Sequence, residues 1–270
     1  GNVYTDITQS LSLGGLTYGV TNMELTSAYA SIANGGTYQK PVLYTKVVDH
    51  NGNILLSNTQ KGKRVMKEST AFLLTDAMKD VITKGTGKSA KLSSSMAVVG
   101  KSGTTSNSYD YWFSGYTPYH TASVWMGYDK NTNFASDNTH KKIWAKVMNE
   151  IIKTKQEQTT DFKKPADIVK AKVCKESGKL AIKGVCDHDP RGSRVITEYF
   201  KKGTVPTQTC DIHVAVEVCK TSDKLATKNC PANKKQRKIY IVRKKGSHGK
   251  TADTPYMLPK KYQSVFCKKH

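Results

Sequence analysis

The sequence lacks several features that would each have indicated a broad class of protein. No run of about 18 apolar residues occurs, so no segment is expected to span a bilayer as a helix. The start of the sequence, residues 1–5, has neither a basic nor an apolar stretch, so we expect no signal peptide here. Because there is no initiator Met, we expect the natural chain to begin further upstream. Acidic residues are scarce, with 21 Asp and Glu against 43 Lys and Arg and a net charge of +22. This excess repels itself and predicts an anionic neighbour.

Cysteine and tryptophan are each missing from one part of the chain. All six Cys lie in 161–270, and all three Trp lie in 1–160. Basic residues are concentrated too, because 26 of the 43 Lys and Arg fall in 161–270. A polar run rich in Lys, Gln and Thr ends at Lys164-Pro165, which is a breaker signal. These changes predict two domains, one over residues 1–158 and a basic, Cys-rich extension over residues 159–270.

Periodicity in the first domain predicts helices around an antiparallel sheet. Apolar residues at helical spacing predict three helices, over 21–33, 69–81 and 142–152. Asn51-Gly52 between two apolar runs is a strong hairpin signal. Three strand-like runs follow one another, over 96–100, 111–116 and 121–128. We therefore expect an α/β fold of the α+β type, with an antiparallel sheet covered by helices.

The second domain contains an internal repeat that includes cysteine. Residues 173–181 resemble residues 218–226, and each copy closes with a second Cys 11 or 12 residues after the first. Six cysteines allow 15 pairings. The repeat favours two local disulfides and leaves a third pair as the remainder, which predicts Cys174–Cys186, Cys219–Cys230 and Cys210–Cys267. This framework predicts a small β-rich module and an oxidising, extracytoplasmic location.

A zinc site is the alternative interpretation of the six cysteines, together with free thiols. We expect no metal, because no pair of CxxC knuckles is present and structural zinc sites commonly use such knuckles. The choice between disulfides and zinc depends on which sulfur atoms meet in the fold.

Residues 98–105 carry the best candidate for chemistry. An apolar strand runs into Lys101, Ser102, Gly103 and Thr104. The ammonium supplies positive charge, and the two hydroxyls can donate hydrogen bonds to a substrate carboxylate. Gly103 allows another backbone to approach closely. The pattern predicts an edge strand with an anion-binding face.

The segments around this strand resemble the transpeptidase domain of class A penicillin-binding proteins. The resemblance rests on an ordered set of motifs: Thr21–Ala30, Asn34-Gly35-Gly36, Gly85-Thr86-Gly87, Lys101–Thr105, Asp110–Pro118 and Val124–Asp129. Ser102 stands where the superfamily more often has Thr in its Lys-Thr-Gly motif. The implied fold is the antiparallel sheet with helices of penicillin-binding transpeptidases and serine β-lactamases, present here in part.

The resemblance implies an acyl-transfer enzyme that cross-links peptidoglycan stem peptides and is trapped by β-lactams. Lys101 would tune the proton network and attract the terminal carboxylate of the donor peptide. Ser102 and Thr104 would bind that carboxylate, Gly103 would admit the substrate strand, and the Thr104 backbone N–H would be one oxyanion donor. Lys101 and Thr104 are thus the expected catalytic residues, and no cofactor is expected. The implied location is the extracytoplasmic face of a bacterial membrane, with an upstream segment as the tether.

The catalytic serine of this family is missing from the sequence. The nucleophilic Ser-x-x-Lys motif should precede the Lys-Ser-Gly strand, and the single match, Ser247–Lys250, lies in the basic tail after it. Ser136-Asp137-Asn138 also follows that strand, within a polar stretch that indicates a loop. We therefore expect the upstream half of the same domain to supply the nucleophile and this chain alone to be inactive.

Two other functions fit parts of the sequence. A non-catalytic transpeptidase-like scaffold could hold anionic wall polymers through its basic face, and a serine β-lactamase shares the Lys-Ser-Gly strand. Anionic wall polymers or anionic lipid are the partners expected for the basic extension, and a solvated surface without a partner is the alternative. Nucleic acid is not expected, although it is the usual partner of such charge, because the cysteines and the resemblance both indicate a location outside the cytoplasm.

Overall fold

Two units are visible in the computed structural model, which describes residues 5–243 and 251–270. The first unit extends to Ala166 and the second comprises Asp167–His270. Residues 159–166 belong with the first unit because Phe162 packs edge-on against Tyr116, with ring centres 5.5 Å apart. An ion pair between Lys79 and Asp161, 2.7 Å long, adds to the same attachment. A domain boundary at residue 158, as expected from the sequence, would have separated Asp161 and Phe162 from these partners.

Helices in the first unit begin and end where local signals place them. Three α-helices are present among its described residues: α1 over Asn22–Ala33, α2 over Glu68–Thr83 and α3 over Thr139–Lys155. Thr21 and Glu24 form a reciprocal capping box that satisfies two free N–H groups at the start of α1. The chain leaves α1 through Gly35 and Gly36, both at positive φ, which glycine adopts without strain.

The strands of both units are short and pair in antiparallel fashion. Those of the first unit are β1 (Thr37–Tyr38), β2 (Lys46–Val48), β3 (Ile54–Ser57), β4 (Lys63–Arg64), β5 (Val99–Thr104), β6 (Asp110–Tyr116) and β7 (Thr121–Gly127). Those of the second unit are β8 (Ile168–Cys174), β9 (Val195–Lys201), β10 (His213–Cys219), β11 (Lys224–Leu225) and β12 (Lys235–Ile241). The sheets have the orders β1-β4, β2-β3, β5-β6-β7, β8-β9 and β11-β10-β12.

The sheet β5-β6-β7 is buried on both faces by helices. On one face Phe113 meets the fully buried Trp144 of α3 edge-on, with ring centres 5.1 Å apart. On the other face Val99 and Tyr116 pack with Met78 of α2. Burial raises the pKa of Tyr116 to about 12. This sheet between helices confirms the expected α+β fold.

Several elements differ in extent from the sequence-based expectation. The first sheet strand covers Val99–Thr104 rather than 96–100, so it includes the polar segment as well as the apolar one. Met96 is buried but lies in irregular chain ahead of the strand. A prediction from hydrophobicity locates such a strand too near the N-terminus, because it counts only the apolar residues. The exposed polar residues that follow belong to the edge strand as well. Helix α3 likewise begins earlier than residue 142, at Thr139.

The second unit consists of small sheets, and Cys174 and Cys219 are the last residues of two of its strands. The described residues of this unit also form one short α-helix, α4 over Lys261–Ser264. All six cysteines are buried free thiols, so the three predicted disulfides are not formed in this structure. The sulfur atoms gather in two groups, with Cys210 beside the first copy of the repeat and Cys267 beside the second. Each group contains three thiols, so no cysteine has one obvious partner for a disulfide.

Candidate active site

The Lys-Ser-Gly segment lies in β5 at one edge of the three-stranded sheet. Lys101 faces Ser114 of β6 and Thr104 faces Tyr111 in the antiparallel register. Strand β6 occupies one side of β5, and no other described strand pairs with its second side. An edge of this kind presents free backbone groups that can pair with an extended peptide.

The backbone N–H of Thr104 is directed to the open edge. The next residue, Thr105, donates its N–H to the Asp110 carbonyl across the β5–β6 ladder at 3.2 Å. Because successive backbone groups in a strand point to opposite sides, the N–H of Thr104 points away from β6. It is therefore positioned to bind an oxygen atom that arrives from outside the sheet.

The ammonium of Lys101 is exposed and is not neutralised by any carboxylate in the described part of the chain. Its Nζ donates a hydrogen bond to the Ser102 carbonyl at 2.8 Å. Within residues 5–243 and 251–270, no carboxylate forms an ion pair with this side chain. Its positive charge therefore remains available to an anion at the open edge.

The hydroxyl of Ser102 is held by the turn that follows α2. Ser102 Oγ lies 2.9 Å from Thr86 Oγ1, and either atom can donate. The glycines on both sides of Thr86 bring this turn close to the helix, since an added Cβ at Gly85 would lie 2.9 Å from the Cα of Val81. The Gly85-Thr86-Gly87 motif thus orients a hydroxyl of the edge strand. Sequence reasoning noted the motif without finding this contact.

Gly103 differs from its neighbour Gly100 in what surrounds it. A Cβ at Gly100 would lie 2.5 Å from the Phe113 ring and 2.8 Å from the Ser114 carbonyl, so packing inside the sheet requires glycine there. A Cβ at Gly103 would meet only Trp112 Cβ, at 3.5 Å, an ordinary contact. The described protein therefore gives no internal reason for glycine at position 103, and a ligand at the exposed surface would supply one.

A hydrogen-bonded turn fixes the end of the edge strand. Asp110 accepts hydrogen bonds from the Trp125 indole at 2.8 Å and from the Thr105 hydroxyl at 3.0 Å. Asn107 and Ser108 in this turn have φ values of 58° and 56°, a left-handed conformation that few residues adopt. The hydrogen bonds among the side chains of Thr105, Asp110 and Trp125 fix the chain directly after Thr104. Nothing in the sequence pattern identified them, because their partners come from three separate segments.

Positive charge is concentrated near the edge strand. Lys141 at the start of α3 is buried, and its Nζ donates to Asn138 Oδ1 at 2.8 Å. Burial, and secondly the charge of Lys101, lower the pKa of Lys141. The influence of Lys101 on Lys141 indicates that the two amines lie near each other, which favours an anionic ligand there.

The Ser136-Asp137-Asn138 motif does not join this site. Residues 136–138 form irregular chain that leads into α3, as expected for a loop. Ser247–Lys250 lies outside the described residues. A cavity of about 860 Å³ lined by residues such as Ile82, Leu92 and Met96 includes none of residues 101–104. The candidate site is consequently an open strand edge in this chain and not a closed pocket.

Comparison with known proteins identifies two matching family models. The model described as the penicillin-binding protein transpeptidase domain matches residues 4–153. The model described as the penicillin-binding protein 1A C-terminal domain matches residues 164–215. Together they cover the sheet with the Lys-Ser-Gly strand and the first copy of the cysteine repeat.

Individual relatives agree with these matches. Penicillin-binding protein 1A of Clostridium botulinum is 36% identical over 256 residues, which are 93% of this chain and 30% of that protein. Penicillin-binding protein 1A/1B of Bacillus subtilis is 31% identical over 220 residues, 75% of this chain and 24% of that protein. The crystal structure of penicillin-binding protein 1A from Haemophilus influenzae superposes with a TM-score of 0.60 at 23% identity, over 76% of this chain and 35% of the other, which supports the fold. The chain thus spans about a third or less of the length of these relatives.

Proposed function

Because this chain belongs to the penicillin-binding protein transpeptidase family, we propose that it forms part of a peptidoglycan D,D-transpeptidase with an acyl-serine mechanism. A serine Oγ attacks the penultimate D-Ala carbonyl of a stem peptide, and the terminal D-Ala leaves. An amine of a second stem peptide then attacks the acyl ester, which forms the cross-link and regenerates the serine. The observation that carries the proposal is the open edge of β5, where no described carboxylate pairs with Lys101 and the Thr104 N–H points away from β6.

The edge strand supplies the groups that recognise the end of the donor peptide. The Lys101 ammonium attracts the terminal carboxylate, and the Ser102 and Thr104 hydroxyls donate hydrogen bonds to it. Hydrogen bonds to charged groups contribute about 1.5–3 kcal/mol each. The donor peptide, or a β-lactam that imitates it, lies along β5 as an added strand.

Thr104 has a second role, through its backbone N–H, at the reacting carbonyl. The direction of this N–H away from β6 suits an oxyanion donor, which stabilises the negative charge that develops on the carbonyl oxygen. Loss of one such donor typically costs about 2.7–4 kcal/mol of transition-state stabilisation. The hydrogen-bonded turn around Asp110 keeps this donor in place without contacting the substrate.

A longer protein supplies the nucleophile in this account. No Ser-x-x-Lys precedes Lys101 in the sequence, and the chain spans 30% of its relative from Clostridium botulinum. The hairpin β2-β3 exposes a row of apolar side chains that the described protein leaves uncovered: Val48, Ile54, Leu55 and Leu56. An exposed apolar patch of this kind marks an interaction surface, and the upstream half of the domain is the partner we assign to it.

The partners and location follow from the same proposal. Peptidoglycan stem peptides and β-lactams are the ligands of the edge strand, and the extracytoplasmic side of the membrane is where they occur. Anionic wall polymers are the proposed partner of the basic second unit, by charge attraction. Among the described residues, none of the helices is both long enough and apolar enough to cross a bilayer.

Covalent labelling tests whether the chain needs a nucleophile from upstream. Gly1–His270 incubated with fluorescent penicillin should show no covalent adduct by electrophoresis or mass spectrometry. A longer protein that includes the upstream half should be labelled at a serine outside this chain. An adduct on Gly1–His270 alone would show that the assignment of the nucleophile is wrong.

The two glycines of β5 provide a matched pair of variants in the longer protein. Gly103→Ala should lower the penicillin acylation rate about tenfold or more at unchanged melting temperature, because the added methyl group lies where the substrate strand approaches. Gly100→Ala should instead lower stability by about 1–3 kcal/mol through overpacking against Phe113. Stopped-flow acylation and thermal unfolding separate the two effects. Full activity in Gly103→Ala would contradict the role of the open edge.

A further inference from the structure

Four potential metal ligands meet in the core of the second unit. Cys174, Cys186, Cys210 and His213 are buried, and their ligand atoms all lie within 4.8 Å of one another. His213 Nδ1 is 3.4 Å from Cys174 Sγ and 3.3 Å from Cys210 Sγ. Cys174 ends β8, Cys186 begins a short 3-10 turn twelve residues later, Cys210 lies in the loop before β10, and His213 is the first residue of β10. The fold therefore assembles them from distant positions.

These distances fit a tetrahedral metal centre better than a disulfide. With Zn–S near 2.3 Å and Zn–N near 2.0–2.1 Å, ideal tetrahedral angles place sulfur and nitrogen ligands roughly 3.6 Å apart. The observed sulfur-to-nitrogen separations are close to that value. A disulfide would join two of the sulfurs and leave the third thiol and the imidazole without a role.

Groups around the four ligands orient them as in zinc proteins. His213 Nε2 lies 2.7 Å from Asp189 Oδ2, so the other ring nitrogen can act as the ligand atom. Asp189 is itself buried and accepts hydrogen bonds from the Arg191 guanidinium, at 2.7 and 2.9 Å. The Ile182 backbone N–H donates to Cys186 Sγ at 3.3 Å, which stabilises negative charge on the sulfur.

We propose that this chain is a zinc protein, with a structural Zn²⁺ bound by Cys174, Cys186, Cys210 and His213 and a second one at the equivalent site of the repeat. A site with four protein ligands leaves no open position, which is typical of structural zinc and not of catalytic zinc. The zinc therefore stabilises the second unit and takes no part in acyl transfer.

The second site follows from equivalent contacts in the two copies. The N–H of Cys210 donates to the Leu180 carbonyl and the N–H of Cys267 donates to the Leu225 carbonyl, both at 2.8 Å. Cys219, Cys230 and Cys267 have sulfur atoms within 4.8 Å of one another. Thus Cys267 corresponds to Cys210 of the first copy. Each of these two cysteines begins a Cys-x-x-His pattern.

His270 is the fourth ligand assigned to the second site. It follows Cys267 at the same spacing as His213 follows Cys210. In this structure its Nε2 lies 3.5 Å from the Thr221 hydroxyl, outside the group of three sulfurs, so its ring must turn to bind the metal. The Thr227 N–H donates to Cys230 Sγ at 3.3 Å, as Ile182 does to Cys186.

Zinc content and thiol counting test the proposal on purified Gly1–His270 and on the longer protein. After dialysis against metal-free buffer, elemental analysis should find about two zinc ions per chain. Alkylation of the denatured, non-reduced protein should find all six cysteines free. Co²⁺ exchanged into the sites should give thiolate charge-transfer absorption and the intense d–d bands of tetrahedral cobalt.

Variants assign each zinc to its residues. Cys186→Ser and His213→Ala should each remove one zinc, and Cys230→Ser and His270→Ala should remove or weaken the other. Asp189→Asn should keep both ions and weaken one of them about 10–100-fold in a chelator competition. His188→Ala is the matched control, because His188 is largely exposed and lies outside both groups. It should retain two ions with unchanged affinity.

The possible outcomes separate the sites from each other and from the proposed enzyme. A wild type that holds only one zinc, which Cys186→Ser then loses, would support the first site and overturn the second. Absence of zinc from the wild type, with disulfides found by non-reducing mass spectrometry, would overturn both. None of these measurements depends on penicillin labelling, so the proposal can fail while the proposed transpeptidase function stands.

Discussion

Replacement of Lys101 by Ala in the longer protein is expected to reduce the second-order rate of penicillin acylation by roughly 100-fold or more. Two losses combine in this variant. The substrate carboxylate loses a charge-assisted interaction of about 1.5–3 kcal/mol. The proton network loses an amine, and a general acid or base of this kind typically raises the reaction rate by roughly 10²–10⁴-fold. Stability should not change, because the side chain is exposed and its one hydrogen bond is to the neighbouring carbonyl.

Two further variants distinguish the position of this charge from its mere presence. Lys101→Arg should recover part of the rate, since it restores the charge with a different geometry. Lys84→Ala should acylate at the wild-type rate, because Lys84 is highly exposed, pairs with Asp80 and lies beyond the end of α2. Stopped-flow measurements with a fluorescent penicillin provide the rates. An unchanged rate in Lys101→Ala would remove the main support for carboxylate recognition by β5.

Replacement of Trp144 by Ala is expected to destabilise the protein by about 3–5 kcal/mol. The indole is fully buried between α3 and the sheet, where it meets Phe113, and its N–H donates to the Ala122 carbonyl at 2.9 Å. The variant leaves a large cavity and removes the hydrogen bond that the indole donates to β7. Because Phe113 belongs to the strand that pairs with β5, this loss should also loosen the candidate site.

The adjacent Ile143 is the matched control for this effect. Its side chain is 43% exposed on the same helix, so Ile143→Ala should change stability much less. Denaturant unfolding followed by tryptophan fluorescence and circular dichroism gives both values. Equal destabilisation in the two variants would show that α3 does not pack on the sheet through Trp144.

Much of the fold could be predicted from local sequence signals, because those signals act over a few residues. The capping box of Thr21 and Glu24 and the glycines after α1 are local devices, and the structure contains both. The extent of β5 could not be predicted in this way. Its polar half is a strand because β6 pairs with it. This pairing joins residues that are distant in sequence, so a hydrophobicity pattern does not predict it.

The candidate site was predictable in its residue types but not in its supports. Lys101, Ser102, Gly103 and Thr104 were identified from one continuous motif and lie in one strand. The partner of Ser102 is Thr86, sixteen residues away along the chain. That contact depends on where the turn after α2 packs against β5. The periodicity of hydrophobic residues carries no information about this packing.

The cysteines illustrate the opposite case, in which a correct observation led to an incomplete interpretation. The repeat is real and its copies make equivalent hydrogen bonds through Leu180 and Leu225. Pairing by closeness in sequence left Cys210 and Cys267 as partners, whereas each joins the two cysteines of its own copy. The Cys-x-x-His spacing was the available signal, because a zinc knuckle can end in His as well as in Cys.

Release of D-alanine from a stem pentapeptide by the longer protein, with and without an acceptor amine, tests the central claim most directly. We expect D-alanine release that depends on both the serine of the upstream half and Lys101, with cross-linked product when the amine is present and a penicillin adduct that persists. Rapid hydrolysis of penicillin without cross-linking would indicate a β-lactamase. No release of D-alanine, with wall binding that weakens steeply as salt rises, would indicate a binding module and contradict the account.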